Sequence, residues 1–143
     1  MRDVDKIILH CTATKDGVHV SVDTIRKWHE ARGWADIGYH YVIYLDGTIH
    51  RGRDVDKSGA HTKGQNASSV GIAYVGGLDK DGEAKDTMSM KQEIAFLSLV
   101  YSLRRVLGDL RVHGHNEYSN KACPSFNVQE KFEFLNKILK DSI

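Results

Sequence analysis

Short apolar runs divide the chain into predicted strands. Val4 to Leu9 and Val70 to Val75 are β-branched apolar runs of the kind found in buried strands. Leu110 to His113 is a shorter strand candidate. Tyr39 to Tyr44 alternates with the period of a strand, Asp46-Gly47 supplies a turn, and Thr48 to His50 returns, which predicts a hairpin. The alternation places Tyr39 on the face of the hairpin that also carries Tyr41 and Ile43.

Three segments with the hydrophobic periodicity of a helix each begin at a predicted capping residue. Ser21 opens an amphipathic helix that ends at Gly33, and Trp28 on this helix is expected in the core. Ser89 and Gln92 form a predicted capping box at the start of the longest helix. Its core stripe is expected to consist of Ile94, Leu97, Val100, Tyr101, Leu103, Val106 and Leu107. Asn127 with Glu130 caps a last helix whose core face is predicted as Phe132, Leu135, Ile138 and Leu139.

The order of these elements predicts an α/β (α+β) fold. One domain over residues 1–143 is expected, with a central mixed sheet of about five strands flanked by about three helices. The segments 52–68 and 78–88 are predicted loops, and the length of the first is typical of a functional segment.

Composition and charge narrow the class of protein. The hydrophobic fraction of 41% is ordinary for a soluble domain, and the net charge of +1 argues against nucleic acid or an anionic membrane as the main partner. The apolar run at Ile7-Ile8-Leu9 is too short for a signal peptide or a membrane span, so synthesis in the cytoplasm without membrane insertion is expected. The two cysteines, Cys11 and Cys123, cannot form a disulfide framework, which favours a reducing compartment; a single bridge between them is the alternative.

The segment from Gly114 to Ser125 carries candidate metal chemistry. His115 and Cys123 lie eight positions apart, and Pro124 keeps Cys123 in a constrained loop. A catalytic zinc needs three protein ligands and an open position for water, and His10 at the end of the first strand is the best third ligand. The alternative is a surface loop with an ordinary histidine and a buried structural cysteine.

An ordered set of motifs covers nearly the whole chain and resembles a known family. The segments are ILHCTAT (8–14), IRKWH (25–29), GWADIGYH (33–40), DGT (46–48), GRD (52–54), GAHTKG (59–64), VGI (70–72), GG (76–77), GHNE (114–117) and KACPSF (121–126). Together they are similar to the type 2 N-acetylmuramoyl-L-alanine amidases, in particular to the T-odd phage lysozymes, which belong to the superfamily of the peptidoglycan recognition proteins. Asn116 departs from the pattern, since the phage relatives have a histidine there.

The resemblance implies roles for individual residues. It implies one zinc ion per chain, held by His10, His115 and Cys123, and it selects His115 rather than His113. Tyr39 and Lys121 match positions that assist catalysis. Positions near the substrate groove match His40, Trp34 and His61. Beside this, Glu117 is expected to orient a histidine ligand or to serve as a fallback base, and Cys11 is expected to be buried without binding the metal.

The implied function is zinc-dependent hydrolysis of the amide between N-acetylmuramic acid and L-alanine in bacterial peptidoglycan, with the protein acting on the cell wall after release or delivery by other machinery. The alternative is a module that binds muropeptides without cutting them. Some phage relatives also restrain an RNA polymerase, which makes a polymerase a further expected partner. A monomer is expected.

Overall fold

The first apolar run forms the second strand from one edge of a five-stranded sheet. The computed structural model describes residues 2–141, so residues 1, 142 and 143 of the predicted domain lie outside the described residues. The strand order is β4-β3-β5-β1-β7, with only β4 antiparallel to its neighbour. The strands are β1 Lys6–Cys11, β3 Tyr41–Ile43, β4 Ile49–Arg51, β5 Ser69–Tyr74 and β7 Arg111–Gly114. The predicted mixed sheet is confirmed, and β1 and β5 are apolar because helices cover both faces of parallel strands.

A second, two-stranded sheet was not predicted. It pairs β2 (Thr14–Lys15) in parallel with β6 (Gly77–Leu78), outside the strands that the sequence predicts. Strands of two residues carry no periodicity, so only their backbone partners reveal them.

The predicted helix starts are confirmed. The Ser21 side chain accepts a hydrogen bond from the Thr24 amide, and Ser89 and Gln92 form the full capping box. The predicted last helix is two helices, broken at Phe132. The helices are α1 Val22–Ala31, α2 Met90–Leu107, α3 Val128–Lys131 and α4 Glu133–Asp141.

The predicted core stripe of α2 is partly wrong. Val100 and Leu103 are buried as expected, but the other buried residues are Gln92, Ala95, Phe96 and Leu99. Ile94, Tyr101 and Val106 are exposed to solvent. This helix is apolar on more than one face, so several stripes fit its sequence, and the packing of Phe96 against Phe132, at 5.1 Å between ring centroids, selects one. On α4 the expected core residue Ile138 is exposed.

The two faces of the sheet differ in polarity. Alternate residues of β1, including Ile7 and Leu9, pack with residues of α2, α3 and α4 in one apolar cluster. The other face is covered by α1, whose Ile25 packs with Val42, and it receives the His10 side chain. Tyr39 belongs to this second face, which corrects its predicted place beside Ile43, because the regular strand begins only at Tyr41.

None of the helices found within residues 2–141 combines the length and the hydrophobicity needed to cross a lipid bilayer.

The outer edge of β7 is closed by a buried side chain. Asn136 on α4 accepts a hydrogen bond from the Val112 amide at 2.8 Å and donates one to the Val112 carbonyl at 2.9 Å. Since Gln129 also donates to that carbonyl, Asn136 is the side chain that satisfies the amide.

We expect Asn136→Ala to lower the free energy of unfolding by about 1–3 kcal/mol, because the buried Val112 amide loses its acceptor. Urea denaturation monitored by circular dichroism measures this change. Lys137→Ala, at the exposed neighbouring position, is the control and should change stability by less than about 0.5 kcal/mol. Equal stability of the two variants would contradict the assigned role.

Candidate metal centre

The carboxyl ends of β1 and β7 bring two histidines together. The strands are parallel and Leu9 pairs with Gly114, so the next residues, His10 and His115, are neighbours at one edge of the sheet. Their ring centroids are 4.5 Å apart. His10, His115 and Cys123 each offer a ligand atom, and these atoms lie within 4.8 Å of one another. The structure therefore brings together the three predicted ligands.

The loop that carries Cys123 is fixed from several sides. The backbone N–H of Cys11 donates to Cys123 Sγ at 3.2 Å, and that sulfur lies 3.7 Å from His10 Nδ1. The Tyr74 hydroxyl donates to the Pro124 carbonyl, and the Ser125 hydroxyl donates to the Gly77 carbonyl, each at 2.7 Å. The sulfur is thus held toward His10.

One unpaired atom supports a bound cation at this place. His115 Nδ1 is the one buried side-chain nitrogen or oxygen that lacks a hydrogen-bond partner among the described residues. An unpaired buried nitrogen is costly unless a ligand pairs with it. Two imidazoles and one thiolate are a donor set that zinc prefers, so the residues present fit that ion.

The environment keeps the histidines neutral. Burial, followed by the nearby His61 and His115, lowers the pKa of His10 well below its ordinary value. Burial and Lys121 lower the pKa of His115. A hydrogen bond with Cys11, together with burial, raises the pKa of Cys123. The imidazoles are thus already in the form that binds metal, whereas the thiol must lose a proton.

His61 lies behind His10 and is not among the residues that line the cleft beside the three ligands, so the groove role that the resemblance implies stays a prediction. His61 is 7% exposed, and its Nδ1 is 2.8 Å from His10 Nε2. Burial lowers the pKa of His61 to about 3. The ring rests on Gly71, where a Cβ would come within 2.5 Å of the ring. A glycine is therefore needed beneath His61.

His40 does not line the cleft beside the three ligands but a separate cavity, together with Arg53 and Asp54, so its predicted groove role stays a prediction. His40 is 1% exposed; its Nδ1 accepts from the Gly71 amide, and its Nε2 then carries the proton donated to the Lys57 carbonyl. His40 thus ties the loop 52–68 to β5. The Trp34 ring packs against that of His29, with 4.6 Å between the ring centroids.

The Glu117 carboxylate forms no hydrogen bond with either histidine of the cluster, contrary to expectation. Its carboxylate pairs with His113 Nδ1 at 2.9 Å and accepts from the Gly114 amide at 2.7 Å. These bonds shape the turn that presents His115, so the contribution of Glu117 is to the backbone.

A cleft of about 150 Å³ opens beside the cluster and is lined by His115, Cys123, Tyr39 and Lys121. The Tyr39 ring lies 5.1 Å from that of His10. Burial raises the pKa of Tyr39, so its hydroxyl remains a hydrogen-bond donor. Cys11 borders the same cleft, but it is 3% exposed and does not belong to the three-residue cluster. Both cysteines are free thiols, so the alternative disulfide is not formed.

Two residues on the cleft wall were missed, one in α1 and one at its C-cap. Trp28 was predicted in the core but is 44% exposed, and it lines the cleft together with Arg32. Their spacing of four residues puts both on one helix face, a signal that the sequence contains. With Lys121, Arg32 gives the cleft two cations, and none of the described residues that line it is acidic.

Comparisons with known proteins agree with this geometry. A family model described as N-acetylmuramoyl-L-alanine amidase matches residues 1–126. The endolysin of Enterobacteria phage K11 is 39% identical over 128 residues, covering 90% of this chain and 85% of that protein. The endolysin of Escherichia phage T7 is 40% identical over 129 residues, covering 90% and 85%. The solved structure of the N-acetylmuramoyl-L-alanine amidase LysC from Clostridium intestinale has a TM-score of 0.79 at 28% identity, covering 97% of this chain and 87% of that one.

We expect the zinc affinity of the cluster to fall about tenfold per pH unit between about pH 7 and pH 6, since one thiol proton must leave before the metal binds. The lowered pKa values of His10 and His115 keep the histidines from adding to this slope. Competition with a chromophoric chelator at several pH values measures the affinity. A dependence of the zinc affinity on pH that corresponds to the release of two or three protons would show that the histidines are charged before binding.

Proposed function

The chain belongs to the N-acetylmuramoyl-L-alanine amidase family, and from this we propose that it is a zinc-dependent enzyme that hydrolyses the amide between N-acetylmuramic acid and L-alanine and so lyses the bacterial cell wall. The observation that carries the proposal is the convergence of His10, His115 and Cys123 beside a cleft that also holds Tyr39 and Lys121.

The reaction needs an activated water and stabilisation of negative charge. His10, His115 and Cys123 would hold the zinc ion, which when bound polarises a carbonyl and lowers the pKa of water. Water adds to the carbonyl carbon, the carbon–nitrogen bond breaks, and the departing amine takes up a proton. Lys121 stabilises the charge that develops on the carbonyl oxygen, since it lines the cleft next to Cys123.

Tyr39 acts as a hydrogen-bond donor. Its raised pKa keeps the hydroxyl protonated, so the group orients the water or donates to the carbonyl oxygen, and it assists proton delivery to the amine.

The charge of the cleft agrees with the substrate. The stem peptides of peptidoglycan carry carboxylates, and the wall of the cleft carries Arg32 and Lys121 without an acidic residue among those described. The exposed indole of Trp28 adds an apolar surface on which a sugar ring or a peptide can pack.

The alternative function is binding of muropeptides without cleavage. The cysteine ligand and Tyr39 favour the enzyme, because the resemblance associates their presence with catalytic members. A turbidity assay on purified peptidoglycan, with and without chelator, separates the two functions. Binding of an RNA polymerase and the monomeric state stay predictions, and a pull-down with a phage polymerase tests the first.

We expect Cys123→Ser and His115→Ala to lose both bound zinc and cell-wall hydrolysis, because each removes one of three ligands. Metal analysis of the purified variants and mass spectrometry of released muropeptides measure the two losses. His19→Ala is the control, since it removes an exposed histidine that does not belong to the three-residue cluster. Full activity of the zinc-free protein would contradict the proposed mechanism.

We expect Lys121→Ala to keep its zinc but to lower kcat roughly 100-fold or more, as removal of a charge-stabilising donor does. Steady-state hydrolysis of a soluble muropeptide gives kcat and KM separately. Lys80→Ala, at an exposed loop position, controls for loss of a positive charge. A change in KM alone would assign Lys121 to substrate binding.

A further inference from the structure

We propose that His61 and Ser69 form a one-way hydrogen-bond chain that ends on the Gln65 carbonyl and fixes which ring nitrogen of His10 is free to bind the cation. His61 is thereby a positioning residue and not a substrate contact. The proposal rests on the metal site proposed above, and its tests include one that needs no metal.

The chain has three links. His10 Nε2 lies 2.8 Å from His61 Nδ1, His61 Nε2 lies 3.2 Å from Ser69 Oγ, and Ser69 Oγ lies 2.7 Å from the Gln65 carbonyl oxygen. His10 is 1% exposed and Ser69 is 0% exposed, so water does not compete with these bonds.

The direction of the chain follows from its last link. A carbonyl oxygen can only accept, so the single hydroxyl proton of Ser69 points at Gln65. Ser69 Oγ therefore accepts from His61, which places the proton of a neutral His61 on Nε2. His61 Nδ1 is then bare and accepts from His10 Nε2–H.

This direction leaves His10 Nδ1 without a proton on the side of the metal ligands. That nitrogen lies 3.7 Å from Cys123 Sγ. The reverse direction would turn the Ser69 proton toward His61, leaving two oxygens 2.7 Å apart with no proton between them. It would also put a proton on His10 Nδ1, where the cation binds.

Thr62 is a competing partner in this network. Its Oγ1 lies 3.2 Å from His10 Nε2 and 3.0 Å from His61 Nδ1. The shorter distance of 2.8 Å makes His61 the principal acceptor for His10. Thr62→Val tests this ranking.

The backbone around His61 is fixed independently of the ring. Asn66 Oδ1 accepts from the amides of His61 and Thr62 at 2.8 and 2.9 Å. Replacing the imidazole therefore leaves the local chain anchored, which makes His61 suitable for substitution.

The first test is zinc affinity by chelator competition on the full chain. We expect His61→Ala to raise the Kd for zinc by about 10–100-fold, the usual cost of losing a group that orients a metal ligand. His61→Gln should recover part of this affinity, because its amide both accepts from His10 and donates to Ser69. Ser69→Ala and Thr62→Val should each cost less than His61→Ala.

The matched control is His40→Ala. His40 is as buried as His10 and accepts from the Gly71 amide of β5, the strand that also carries Ser69, yet it has no hydrogen bond to His10. This variant should lose thermal stability while its zinc Kd changes less than about threefold. An unchanged Kd in His61→Ala, or an equal rise in His40→Ala, would overturn the proposal.

The second test reads the tautomer of His10 in the zinc-free parent by long-range 1H–15N NMR. We expect the proton on Nε2; a proton on Nδ1 would refute the chain. Because this result does not depend on metal, a parent that fails to bind zinc but shows the Nε2 proton would reject the proposed function and keep the chain.

Discussion

The parallel register between β1 and β7 is the constraint on which the site depends. The pairing of Leu9 with Gly114 makes His10 and His115 neighbours, although more than a hundred residues separate them in the sequence. A slip of one residue would turn His10 toward the apolar cluster on the opposite face. The register is held because β1 is buried between two parallel partners and its alternate residues pack in different environments.

The layer beneath the metal cluster is unusually polar for a domain interior. His10, His29, His40 and His61 are all buried, and each has a hydrogen-bond partner among the described residues. Burial lowers the pKa of His29 and of His40 to about 4, so both are neutral. His29 joins α1 to the loop at Gly38, and His40 joins the loop at Lys57 to β5. Neutral imidazoles can accept at one nitrogen and donate at the other, which lets them join segments that lack a regular ladder. The opposite face of the sheet, packed with Phe96 and Phe132, supplies the hydrophobic stability.

Much of this arrangement could be predicted from the sequence. Helix caps, the hairpin turn and the β-branched strands are local signals. The candidate metal segment and His10 indicated the three ligands that the structure brings together, and the resemblance implied the same set. The predictions that were wrong concerned residues whose burial depends on tertiary packing. The buried face of α2 could not be identified without knowing that Phe96 packs against Phe132. Trp28 was placed in the core because helical spacing does not show how far the packed surface of the sheet extends along α1.

The histidines show the same limit. The resemblance placed His40 and His61 near the groove, but a sequence match does not show whether a histidine faces solvent or another side chain. Only the contact of one with Lys57 and of the other with His10 distinguishes them. At the far side of the sheet, the Asn136 amide occupies the Val112 backbone groups that another chain would use to extend the sheet. At high protein concentration, the β7 edge therefore offers a second molecule no free backbone groups at Val112 on which to aggregate.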